Sequence, residues 1–223
     1  MIPGPLKRLF NRKPSEGGEV RTAEALGGLL DIPPEKVDLD ALCPAIIPRE
    51  FSASGDWPGP VVQLPVDGVD LTWVVHGEPD LVRYVDWRLD AYWRDNEVDW
   101  RSKAMANLVR VAHAHPHSHE FRGDDGRVVM VVMMHEDGLG PSRLLVPHLL
   151  DEVFPDGYQV ALPELTCAFA FGVTAGDEDP RIEELISGCF TNGTRPLSPL
   201  RYQPEHFWLA VDQTPPVAGL EQP

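Results

Sequence analysis

His113, His115, His117 and His119 alternate with other residues and run directly into Glu120. In an extended chain every second side chain points the same way, so these imidazoles would line one face. A His-x-His pair on a strand can give two nitrogen ligands to Zn²⁺ or Fe²⁺, with a third from Glu120, His135 or His76. That arrangement would make the chain a metal-dependent hydrolase. Two features weigh the other way. Pro116 interrupts regular structure, and the run falls at an expected helix exit, where the dipole alone favours histidine. The order also departs from the H-x-H-x-D-H pattern of a familiar hydrolase class. The plainer expectation is a solvated polar loop without a bound metal.

A second constellation follows at Glu136-Asp137-Gly138-Leu139-Gly140, with Ser142 and Arg143 just beyond. Two glycines ahead of a helix start resemble an anion cradle. Glu136 and Asp137 would already occupy the positive end of that dipole and repel phosphate. Arg143 sits badly with the same dipole and needs an anionic partner, the nearest being Asp137 or Glu136. The expected structure is a turn tied by an arginine–carboxylate pair. The functional alternative is a pocket in which Asp137, Ser142 and Arg143 contact a small ligand or a protein partner. Ser142 lacks the G-x-S-x-G elbow of a serine hydrolase. Trp57, Trp73, Trp87, Trp93, Trp100 and Trp208 mostly fall on amphipathic stripes and are expected in the core.

The elements that must position these residues begin with a chain of 223 residues, 43% hydrophobic, which suffices for a packed core. Its 35 acids against 19 bases give a net charge of −16, which repels nucleic-acid phosphates. Cys43, Cys167 and Cys189 show no C-x-x-C spacing and read as reduced thiols of a cytoplasmic protein. Residues 1–18 are expected to form a basic arm without a signal peptide. Leu6, Lys7, Arg8, Leu9, Phe10, Arg12 and Lys13 could give it weak contact with an anionic membrane surface. Residues 19–212 are expected to form one domain and 213–223 a disordered tail. No apolar run approaches the length of a transmembrane helix.

Within the domain, the pattern predicts a helix over 19–30 and a short one near Pro34–Leu42. Asp67-Gly68 should turn a hairpin between Pro60–Val66 and Val69–His76. Leu81, Val85, Leu89 and Trp93 fit one helical stripe, and Asp99 is a good N-cap for a helix from Trp100 to about Ala112. Asp124-Asp125-Gly126 should turn a second hairpin into Val128–Met134, a central strand apolar on both faces. A helix is expected from Pro141 through Val153, kinked or divided at Pro147. Strands follow at Tyr158–Leu162 and Leu165–Phe171, then a helix opened by Asp179-Pro180 and a final strand at Phe207–Val211. The fold class is α+β, a mixed and largely antiparallel sheet with helices packed on it. The second half has the β-α-β-β-α-β order of a split βαβ, ferredoxin-like plan.

Two stretches carry a family resemblance. Thr72 to Leu108 holds a strand, an Arg83-Tyr84-Val85 segment and a helix ending in Ala104 and Asn107-Leu108. Asp137-Gly138, then Ser142-Arg143-Leu144-Leu145 and Pro147, is similar to a "DG..ASRLLLP" pattern. Together these resemble the YtpQ-like family of bacterial proteins, a domain of unknown function. The chain departs from the family at Pro163-Glu164-Leu165-Thr166, where an Asn-Arg-Asp triplet usually follows the proline. The resemblance implies a cytoplasmic α/β domain and brings no activity, cofactor or catalytic residue.

The preferred expectation is a cytoplasmic α+β protein without catalysis of its own, acting on a protein partner or small ligand. The alternatives are a metal-dependent hydrolase with Zn or Fe at His113–Glu120, and a peripheral membrane protein using residues 6–13.

Overall fold

The structure is a computed structural model and describes residues 32–53, 57–78, 81–173 and 180–212. The expected arm over 1–18, the helix over 19–30 and the tail over 213–223 lie outside these residues.

Two 3-10 turns, Pro34–Lys36 and Leu39–Ala41, take the place of the short helix expected near Pro34–Leu42. They lead into a first antiparallel sheet of β1 (Leu42–Pro48), β2 (Val62–Gln63), β3 (Val69–Glu78) and β4 (Leu81–Tyr84). β3 is its centre, with β1 on one edge and β2 and β4 sharing the other. β3 is buried on both faces from Val69 to Val74. Its two polar residues there are both satisfied. Asp70 accepts from Arg49 Nε at 2.9 Å and Ser52 Oγ at 2.5 Å, both on the short helix α1 (Arg49–Ala53). Thr72 Oγ1 donates to the Pro60 carbonyl at 3.1 Å.

The first expected hairpin is real but shorter than its apolar pattern. Only Val62–Gln63 pairs with Asp70–Leu71. Beyond that pair, Arg49 Nη2 takes the Leu64, Val66 and Val69 carbonyls at 3.0, 3.2 and 2.8 Å. A guanidinium with its fixed fork of donors thus replaces ladder bonds that Pro65, having no N–H, cannot supply.

Helices α2 (Trp87–Asp95) and α3 (Trp100–Ala114) follow, each opened by an aspartate. Asp86 Oδ1 accepts the Leu89 N–H at 2.8 Å, and Asp99 Oδ1 the Ser102 N–H at 3.2 Å. α3 buries Trp100, Ala104, Leu108 and Ala112, with Asn107 among them. The Asn107 amide donates to the Leu39 and Leu42 carbonyls at 2.8 and 2.9 Å. It thereby ties the middle of α3 to the start of β1.

The second sheet has the order β5-β6-β8-β7-β9, every pairing antiparallel. Its strands are β5 (His119–Arg122), β6 (Val128–Met133), β7 (Tyr158–Glu164), β8 (Cys167–Gly172) and β9 (Arg201–Tyr202). The two-residue period sorts its side chains cleanly. Val131, Met133, Val160, Leu162, Ala168 and Ala170 join the main core with β1, β3, α2 and α3. Met130, Val132, Ala161, Phe169 and Phe171 face the other way. There they meet Ile182, Leu185, Ile186 and Cys189 of α4 (Pro180–Asn192). The bulky Phe169 and Phe171 sit under one helix, and Ala168 and Ala170 face the larger core. Each buried phenylalanine contributes about 2–3 kcal/mol.

The α+β class holds, with the strands divided between two sheets. β6 and β7 both run antiparallel to β8, so they are parallel with β8 inserted between them, which is the split arrangement. The ferredoxin-like order needs correction at the fourth strand. β9 lies beside β7, while β5 holds the place next to β6.

Two further expectations are corrected. The helix expected over Pro141–Val153 is a 3-10 turn, Pro141–Leu145, followed by irregular turns. Pro147 removes an N–H and crowds the carbonyl four residues back, so the helix stops rather than kinks. The final strand expected at Phe207–Val211 is instead helix α5 (Glu205–Asp212). A short apolar run has no period that separates buried helix from strand. Bonds from the His206 and Phe207 N–H groups to the Gln203 and Pro204 carbonyls turn it helical.

Candidate functional site

The histidine run does not form a face. α3 continues to Ala114, so His113 is still helical and His115 is the C-cap. Two residues apart on a helix point about 200° from each other. The alternative in which His113, His115, His117 and His119 converge therefore meets its first obstacle at His113 and His115. His119 and Glu120 are consecutive on β5 and face opposite sides; Glu120 pairs with Arg122 Nη2 at 2.8 Å. Among the described residues, no three of His, Cys, Asp or Glu are grouped so that they could hold a metal ion.

The loop after β6 is organised around Arg143, whose side chain has no exposed surface. Its Nη1 and Nη2 donate to Asp137 Oδ1 and Oδ2 at 3.2 and 2.7 Å. Its Nε donates to the His115 carbonyl at 2.8 Å, at the end of α3. Asp137 Oδ1 also accepts the Leu139 N–H at 2.8 Å. His76 on β3 donates from Nε2 to the Asp137 carbonyl at 2.5 Å; a carbonyl can only accept, so this imidazole carries its proton on Nε2. The chain fits through this knot because Gly138 takes φ +70 and Gly140 passes Met133, where a Cβ would lie 2.6 Å from the carbonyl oxygen.

Electrostatics follow from these contacts. Burial alone would raise the Asp137 carboxyl, but hydrogen bonds from Arg143 and the Leu139 N–H outweigh it and hold it below the usual range. His135 is depressed to about 4, first by burial and then by Arg143, with Asp137 opposing and His115 and His117 adding to the effect. His135 Nε2 and His117 Nδ1 are enclosed without a hydrogen-bond partner. Ser142 is buried as well. Of Asp137, Ser142 and Arg143, only the Asp137 carboxylate has notable exposure, 27%. The expected arginine–carboxylate tie is present, and it leaves Ser142 and Arg143 buried beneath a partly exposed Asp137.

The cysteines are free and buried. Burial raises Cys43 to about 11 and Cys189 to about 12, and pushes Cys167 well up too. All three stay thiols near neutral pH and make poor nucleophiles.

An open cleft lies elsewhere, between α2 and α3, with a volume of about 310 Å³. Trp100 is part of its lining and packs on two further indoles, with ring centroids 5.2 Å from Trp73 and 5.4 Å from Trp93. The Arg101 guanidinium carbon sits 5.1 Å from the Trp73 ring centre and 4.9 Å from that of Trp100. Asp90, nearly buried, lies 3.4 Å from Arg101 Nη2 and 3.7 Å from Arg94 Nη1. Arg101 Nε is enclosed and has no acceptor. Glu97, Val98 and Asp99 form the connection that closes the cleft. Sequence reasoning placed these tryptophans in the core and passed over the charges between them. The available signal was a run of charges of both signs, Arg94 to Arg101, bracketed by Trp93 and Trp100.

Among the described residues, no helix is long and apolar enough to cross a membrane. No family model matches the chain, and neither a curated protein nor a solved structure is significantly similar to it.

Proposed function

We propose that this chain is a binding domain without chemistry of its own, and that it contacts its ligand through the cleft between α2 and α3. One observation carries the reading. The cleft is open and lined by two arginines whose shared carboxylate, Asp90, stands 3.4 and 3.7 Å away, with Trp100 as the aromatic part of its lining. Sites of this shape, an apolar floor with a few directed polar groups, are where small molecules are held. The knot around Arg143 serves the reading differently. It fixes the C-terminal end of α3, the helix whose N-terminal end forms the cleft. A cytoplasmic setting accords with three buried, unpaired thiols. The resemblance to the YtpQ-like family remains part of this proposal and adds no activity to it.

Equilibrium dialysis of the full chain against a small-molecule cell extract tests the assignment, with retained compounds identified by mass spectrometry. The expected result is at least one compound held by the wild type and lost by Arg101→Met. That substitution keeps length and apolar contact while removing the guanidinium. Equal retention by both proteins, or retention by neither, overturns the reading.

A further inference from the structure

We infer that the α2–α3 cleft takes a small zwitterion of the amino-acid type, with the arginines receiving its carboxylate and Glu97 and Asp99 its ammonium group. This rests on the binding role proposed above and adds the chemical class of the ligand.

The donors come first. A short charged hydrogen bond between guanidinium and carboxylate spans about 2.7–2.9 Å. Asp90 is farther than that from both arginines, at 3.4 Å from Arg101 and 3.7 Å from Arg94. Asp90 therefore sits against two guanidinium groups without filling their donor sets, and Asp95 adds only a contact at 4.0 Å to Arg94 Nε. Cation–π contact with Trp73 and Trp100 holds Arg101 in place, with Nε enclosed and Nη2 turned toward Asp90. A bridging carboxylate would complete both arginines.

The connection between the helices brings the opposite charge into the lining. Glu97 is exposed on the connection between the helices. Asp99 uses Oδ1 to cap the Ser102 N–H, and that bond does not engage its second oxygen. With Asp90 set against the arginines, the local sum over Asp90, Arg94, Glu97, Asp99 and Arg101 is negative by one charge. A purely anionic ligand would meet that deficit and the −16 of the whole chain. A purely cationic ligand would leave the arginine donors unmet. A molecule with both charges satisfies each rim, and Val98 and Trp100 between them give its side chain apolar contact.

The test is amide NMR titration of the full chain with the standard L-amino acids, one at a time, at millimolar concentration. At least one should move the amides from Glu97 to Arg101. Its carboxamide, which keeps only the ammonium, and its N-acetyl form, which keeps only the carboxylate, should each bind at least about tenfold more weakly, the equivalent of one lost charged contact. Glu97→Gln is exposed, so its spectrum should stay folded while its affinity falls. A blocked form that binds as well as the parent overturns the zwitterion assignment, as does the absence of any titrating amino acid. The dialysis experiment separates the two levels. An uncharged or singly charged compound held through Arg101 removes the ligand class and leaves the cleft in place. Nothing held removes both.

Discussion

Two regions of this molecule each set an arginine against an aspartate, and they do opposite things with the pair. At Arg143 the guanidinium is wholly enclosed and each of its three nitrogens has an acceptor within 3.2 Å. At Arg101 the guanidinium is 25% exposed, its aspartate stands 3.4 Å away, and Nε has no acceptor. Charge alone does not distinguish the regions, since both are mixed. Completeness of hydrogen bonding does. A buried arginine with an acceptor on every nitrogen is scaffold, because breaking any bond leaves a desolvated charge. A stacked arginine with donors to spare is held in place by aromatic contact and remains able to receive something else. α3 joins the two, with Trp100 and Arg101 at one end and the His115 carbonyl at the other.

The same substitution at the two sites gives the largest expected contrast. Arg143→Met leaves Asp137 and the His115 carbonyl without their partner inside a loop that has no slack. The expected loss is about 3 kcal/mol, at the lower end for a broken buried pair because Asp137 keeps some exposure. Arg101→Met leaves Arg94 still facing Asp90 and should lose about 1 kcal/mol. Urea unfolding of both variants reads the difference. Equal losses would erase the distinction between scaffold and site.

A second test probes the knot alone. His135 is held neutral, with its folded value near 4 against an ordinary value of 6.5. The unfolded chain therefore takes up a proton on this group before the folded chain does. Stability from this group is complete above about pH 6.5 and falls as the pH drops toward 4, where the folded form also protonates. Arg143, His115 and His117 oppose that proton, and Asp137 favours it. Partial solvent screening sets the expected size at about 1 kcal/mol. Urea midpoints measured from pH 7 to pH 4 should fall more steeply for the wild type than for His135→Gln, which has no proton to gain. Parallel curves would show that the imidazole is solvated and the knot looser than its bonds indicate.

The contrast also explains what could be read from the sequence. The arginine–aspartate tie was legible because both partners lie six residues apart on one loop, and an arginine in a first helical turn needs an anion. β5 to β8 were legible as runs between turns, while the two-residue β9 was not; α3 was legible from its Asp99 cap, and α2 from the second half of a stripe whose start, Leu81–Tyr84, pairs as β4 instead. His76 was not legible as a partner of Asp137, because only the meeting of β3 with the loop brings them together. Nor was Arg101, whose function in the fold depends on Trp73 from another sheet strand. The alternating histidines misled because alternation has meaning only in an extended chain. Here the same residues span a helix end, an irregular joint and the start of β5. Asn107 was hidden by chemistry: an amide on a helix face reads as solvent-facing until two orphan carbonyls require it.

The smallest expected effect is the sharpest test of the cleft. Glu97 sits at φ +56, in the left-handed region. Its N–H bonds to the Arg94 carbonyl at 3.0 Å, and the Val98 N–H to the Trp93 carbonyl at 2.8 Å. This is the Schellman ending of α2, and the left-handed position in that motif is usually glycine because a Cβ is strained there. Glu97→Gly should therefore stabilise the fold by about 0.5–1 kcal/mol, visible as a higher urea midpoint. The same change deletes a carboxylate from the rim, so binding of the cleft ligand should fall. Glu97→Gln keeps the strain and removes only the charge, and should weaken binding without raising stability. Opposite movement of stability and affinity at one residue is what a side chain retained for binding predicts. A gain in stability with affinity unchanged would instead make Glu97 a tolerated misfit at a helix end, and would leave the cleft without its acidic rim.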